Sequence, residues 1–119
     1  MITKFTRRVK AGEAPIIEGD GLQTRDFIHA RDVASFIGLL LEKDDISGEV
    51  FNCGSGVATS ILDLARLVIS AGSLDVEPEL TAPRKGDIRH SVADMSKAKA
   101  LLGFSTKVPL RDGIAEMLG

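Results

Sequence analysis

Apolar residues Ile2, Phe5 and Val9 recur at helical spacing near the start of the chain, with Lys4, Arg7, Arg8 and Lys10 between them. This pattern predicts a short amphipathic helix to about Lys10, stopped by Gly12. Pro15-Ile16-Ile17-Glu18 reads as a short strand ended by a Gly19-Asp20-Gly21 turn, and Thr24 to His29 alternates as a second strand. Asp32 then opens a helix running to about Lys43, whose apolar residues leave only a thin polar stripe at Ser35, Glu42 and Lys43. A helix of that kind needs cover on more than one side.

Val50-Phe51-Asn52-Cys53, bounded by Gly48 and Gly54, suits a buried strand. Ser60 and Asp63 form a capping-box-like opening to a helix through Ser70, closed by Gly72. Beyond a Pro-punctuated stretch, Ile88 to Val92 can be extended. Ser96 is placed to cap a helix through Leu102 with Gly103 as its stop, and Leu110 to Leu118 forms a last helix. Helices alternate with short strands, so the expected class is α/β or mixed α plus β.

Composition narrows the function classes. The chain has 119 residues with 15 basic and 17 acidic side chains, and a net charge of −2 favours neither nucleic acid nor an anionic membrane. A single unit is expected, since this length supports one core but not a nucleotide-binding domain plus a substrate domain. Cys53 is alone, so no internal disulfide can form. His29 and His90 have no zinc-like spacing, no stretch is long enough to span a membrane, and the charged first residues are unlike a signal peptide. The expectation is a cytoplasmic domain without metal.

Candidate chemistry is sparse. Gly54-Ser55-Gly56 lacks the third glycine of a dinucleotide fingerprint, so it is either a phosphate cradle or, the better reading, a tight structural turn. Cys53 lies in an apolar run where a thiol is inert packing, and neither histidine neighbours a nucleophile elbow. The cations Lys4, Arg7, Arg8 and Lys10 can hold phosphates, but a solvated helix face is the favoured reading. Arg25 and Arg84 stand out by their company, Asp26 and Asp87. A guanidinium fork suits a pyrophosphate and a nearby carboxylate suits sugar hydroxyls, whereas surface ion pairs within Arg25-Asp26 or Arg84-Asp87 would use the same residues.

Five ordered motifs go further: Pro15-x-Ile17-x-Gly19-Asp20-Gly21-x-Gln23-x-Arg25-Asp26-Phe27-Ile28, Asp32-Val33, Phe51-Asn52-x-Gly54-x-Gly56, Arg84-x-Gly86-Asp87, and Asp94-x-Ser96-Lys97-Ala98. Together they resemble the C-terminal, substrate-binding part of extended short-chain dehydrogenase/reductases, in the NAD-dependent epimerase/dehydratase family. The likeness is strongest to the UDP-glucose 4-epimerase type. Phe27 and Gly86-Asp87 stand where dehydratase relatives usually carry Trp and Gly-His-Asp.

The resemblance implies a mixed α/β fold in which Arg25 and Arg84 bind a nucleotide diphosphate and Asp87 contacts nucleotide or sugar hydroxyls. It places Ile16, Glu18 and Gln23 beside the nucleotide, with Glu18 departing from an aromatic common at its position. It implies NAD as the family's cofactor, bound by a part not matched here, and a catalytic Tyr-x-x-x-Lys upstream of the matched region. This chain has no Tyr. On this reading residues 1–119 form a sugar-nucleotide-binding domain, not catalytic alone, whose partners are a UDP-sugar and either further copies of itself or an NAD-binding half. The alternative is a non-enzymatic nucleotide-binding or interaction module.

Overall fold

The computed structural model describes all 119 residues. Its elements in order are α1 (Ile2–Lys10), β1 (Ile16–Glu18), β2 (Thr24–Arg25), α2 (Ala30–Glu42), β3 (Thr59–Ser60), α3 (Ile61–Ala71), β4 (Glu79–Thr81), α4 (Ser96–Leu102) and α5 (Leu110–Leu118). The mixed α/β class expected from the pattern is the one observed. The molecule is a slab, 50 × 33 × 15 Å along its principal axes. Its radius of gyration, 16.5 Å, exceeds the roughly 13.5 Å of a rounded domain of this length.

The slab contains two cores. In the larger, α1, β1, α3 and α5 bury Phe5, Val9, Ile17, Ile61, Leu64, Ala65, Val68, Ile69 and Ile114. The helical spacing of Ile61, Leu64, Ala65, Val68 and Ile69 is one apolar face of α3, around which the other elements close. Ser60 Oγ accepts from the Asp63 amide at 3.0 Å, the predicted cap. In the smaller core Phe36 of α2 meets Ala98 and Leu102 of α4 and Phe104, with the Phe36 and Phe104 rings edge to face at 5.0 Å. Gly103, at φ 62°, ends α4 in the left-handed region and lets the Phe104 amide turn back to Ala98 O.

The two strands predicted before α2 both form, the second cut short at Arg25, and each pairs in its own two-stranded sheet. β1 runs parallel to β4, pairing Ile17 with Leu80, and β2 runs antiparallel to β3, pairing Arg25 with Thr59. The Gly19-Asp20-Gly21 turn therefore joins strands of different sheets. Strand pairing beyond Arg25 stops because Asp26 is committed elsewhere and His29 caps α2, its Nδ1 accepting from the Arg31 amide at 3.0 Å. Asp32 is thus not the cap. It is buried in the first turn of α2, and its carboxylate takes the amides of Lys107 and Val108 at 3.0 and 3.1 Å. Ser96 is not a cap either, since it is already helical and donates its amide to Asp94 Oδ1 at 2.9 Å.

Val50 to Cys53 is not a strand. No neighbouring strand accepts its ladder, Val50 is 80% exposed, and Phe51 packs edge-on against Phe36 at 6.4 Å. Ile88 to Val92 contributes only a single bridge, His90 to Thr24. The stretch before it holds β4, which its pattern does not announce.

Candidate nucleotide-binding site

A cavity of about 530 Å³ opens between α1, β1, the start of α3 and the loop after β4. Its wall includes Ile16, Glu18, Gln23, Arg84 and Asp87, five of the six residues singled out in the sequence. Beside it a second hollow of about 370 Å³ shares Glu18, Gln23, Arg84 and Asp87 and extends to Asp20 and Arg89.

The sixth residue, Arg25, reaches the site through Asp87. Its Nη2 donates to Asp87 Oδ1 at 2.6 Å and its Nη1 to Thr24 O at 2.7 Å. The pair joins residues distant in sequence, so neither of the local pairs considered above forms. Asp26 binds no arginine, and Arg84 enters no ion pair. Gln23 is buried; its Nε2 donates to Glu18 O at 3.0 Å, while Oε1 is buried with no donor.

The loop carrying Arg84 and Asp87 is held from both sides. Gly19 N donates to Thr81 O at 3.0 Å before it, and Thr24 N donates to Arg89 O at 2.8 Å after it. Arg89 also grips Asp20 with both nitrogens, at 2.8 and 2.9 Å. That hydrogen-bonded guanidinium, helped by the Leu22 amide, holds the Asp20 carboxyl down at about 2. The Gly-Asp-Gly turn is therefore an anchor for the loop. Sequence reading missed Arg89, for which Asp87-x-Arg89 gave no signal without knowledge of the loop's path.

The glycine loop has a structural use. The Asp26 carboxylate accepts from the Ser55 amide (2.9 Å) and hydroxyl (2.5 Å), the Gly56 amide (2.9 Å) and the Ala93 amide (3.2 Å). Burial pushes the Asp26 carboxyl up, but these hydrogen bonds outweigh it and leave it below the usual carboxylate range. A Cβ on Gly54 would lie 2.6 Å from Asp26 Oδ2, so only glycine fits the approach. With the Ser55 and Gly56 amides spent on Asp26, Gly54-Ser55-Gly56 is a structural turn and not a phosphate cradle.

The remaining candidates resolve similarly. Burial and the charges of Asp26 and Asp32 push the Cys53 thiol up, away from reactive thiolate. His29 pairs with Glu116, and His90 Nδ1 meets Thr24 Oγ1 at 2.9 Å with no carboxylate on its other nitrogen. No group of His, Cys, Asp and Glu is arranged to hold a metal, and no helix is long and apolar enough to cross a membrane. Of the α1 cations, Lys4 and Arg7 are exposed, as a solvated face requires, and with Arg8 they line the main cavity.

Comparison with known proteins identifies the family. The GDP-mannose 4,6 dehydratase family model matches residues 1–117. A dTDP-L-rhamnose 4-epimerase of Burkholderia thailandensis is 37% identical over 118 residues, covering 98% of this chain and 32% of the relative. The crystal structure of Thermotoga maritima UDP-glucose 4-epimerase with UDP-glucose superposes with a TM-score of 0.89 at 39% identity, covering 98% of this chain and 37% of that one. A UDP-glucuronic acid 4-epimerase from Bacillus cereus in complex with NAD gives a TM-score of 0.81 at 30% identity, covering 96% and 36%. The chain thus spans about a third of the length of these proteins. By family model, sequence and fold together, it belongs to the NAD-dependent sugar-nucleotide epimerases and dehydratases of the extended short-chain dehydrogenase/reductase type.

Proposed function

We propose that this chain is the substrate-binding portion of a UDP-glucose 4-epimerase-like enzyme and that its main cavity holds the nucleotide diphosphate of a UDP-sugar. One observation carries the reading: Ile16, Glu18, Gln23, Arg84 and Asp87 gather on a single cavity, with Arg25 gripping Asp87. Arg84, free of any internal ion pair, offers its fork to the diphosphate. Asp87, braced by Arg25, presents its other oxygen to hydroxyls. The unpartnered Gln23 Oε1 is a buried acceptor whose desolvation a ligand donor would offset. The relatives named above include one solved with UDP-glucose and one with NAD.

Hydride transfer at the sugar needs NAD and a catalytic base, which this reading assigns to an NAD-binding portion beyond these residues, in the same chain, another copy or a partner. The chain's own residues bind and orient the substrate. A second reading, a non-enzymatic interaction module in which Arg25 and Arg84 touch no nucleotide, is favoured by one feature: Arg25 already spends its fork on Asp87 and Thr24.

Calorimetric titration with UDP and UDP-glucose separates the two. Binding that weakens by about 2 kcal/mol in Arg84→Ala, and also falls in Arg25→Ala, with melting temperature preserved, is the expected result. A folded wild type that binds neither ligand would contradict the proposal.

A further inference from the structure

We propose that Lys4 and Arg7 of α1 are ligand-contacting residues that neutralise the diphosphate together with Arg84; this rests on the reading of the cavity as a nucleoside-diphosphate site. Taken alone, the basic face of α1 looks like a solvated helix surface. The fold makes it a wall. Burial of Phe5 and Val9 in the larger core fixes the roll of α1, and this roll places Lys4, Arg7 and Arg8 along the cavity that also holds Arg84. Residues three and four apart share a helix face, so the three cations crowd one another at some cost to the isolated helix.

Compensation within the chain is uneven. Arg8 is satisfied, with Nη1 on Glu13 at 3.0 Å and Nε on Ala14 O at 2.6 Å. Asp87 is satisfied by Arg25 at 2.6 Å. Lys4, Arg7 and Arg84 enter no ion pair, and Glu18 is the one remaining unpaired acid on the cavity wall. Three cations against one carboxylate leave the cavity positive in a chain whose net charge is −2. A diphosphate bridging two sugars has two phosphoryl groups, each carrying a negative charge at neutral pH, which matches that excess. The last-turn position of Arg7 also suits the helix dipole, but Lys4 lies too far forward for that explanation.

The test is a titration of UDP into the wild-type chain, Lys4→Gln/Arg7→Gln, Arg84→Gln, and Arg66→Gln on the exposed side of α3 as control. The double variant is expected to bind about tenfold more weakly at low salt, with the difference shrinking as ionic strength screens the charges. Its melting temperature should hold or rise, because like-charge crowding is relieved. Arg66→Gln should match wild type. If Arg84→Gln loses affinity while the double variant binds like wild type, α1 is only a solvated face and the inference fails while the cavity reading stands. If the wild type does not bind UDP, or no variant differs from it, both fail.

Discussion

The two cores differ in how far they close on themselves. Around α3 the larger core leaves Leu64, Ala65 and Val68 with no exposure, sealed by α1, β1 and α5. The smaller core buries only Phe36, Ala98, Leu102 and Phe104, and its helix α2 leaves Ile37 at 50% and Leu41 at 83% exposure. Both helices were apolar enough to be core helices. What separates them is the presence of partners: α3 has an element on each side, whereas α2 presents apolar surface that nothing in the chain covers. The candidate site lies against the closed core, so the residues proposed to bind ligand rest on the better-sealed half.

The sharpest way to break this comparison is a matched pair of leucine truncations. Leu64→Ala should cost about 3 kcal/mol in urea unfolding, as a cavity in a sealed core does, and Leu102→Ala should cost less because its open surroundings can collapse or hydrate. Equal costs would show the cores to be equally closed.

Asp26 links the halves, its carboxylate tying β2's end to the 55–56 loop and Ala93. Asp26→Asn should destabilise by about 2 kcal/mol at neutral pH, since charge-assisted hydrogen bonds are lost. The folded pKa lies below the unfolded one, so this stabilisation is complete above about pH 4 and disappears as pH falls through the folded value. Wild type should therefore lose stability on acidification more steeply than Asp26→Asn, a difference that urea midpoints measured from pH 5 to about pH 2 would show.

Smaller effects sharpen the picture at the surface. Asp20→Asn frees the loop bearing Arg84 and Asp87 from Arg89, and should weaken UDP binding about threefold with no change in melting temperature. Leu41→Gln should change stability by no more than about 0.5 kcal/mol yet reduce concentration-dependent association in light scattering, if the uncovered face of α2 drives it.

Local chemistry was legible in the sequence, and non-local pairing was not. The bounds of α1, α3, α4 and α5 follow from periodicity and from stops such as Gly103, because those signals lie within one or two turns. The four apolar residues at Val50 to Cys53 promised a strand, but a strand exists only where a neighbour accepts its amides, and no local pattern shows whether one is there. Asp32 had the right type and place for a cap and instead serves two amides some 75 residues away. At the candidate site, five residues that the family resemblance singled out line one cavity. Arg89 carried no signal, and Lys4 and Arg7 read as a solvated helix face, because only the path of the loop after β4 and the roll of α1 bring them to the cavity walls.

The measurement that bears most directly on the account is amide hydrogen exchange of the chain with and without UDP-glucose. Slowed exchange in residues 1–25 and 79–91, with α2 and α4 unchanged, is the predicted result. Protection confined to α2, α4 and the 50–57 segment, or no protection anywhere, would contradict the placement of a nucleotide-sugar site against the closed core.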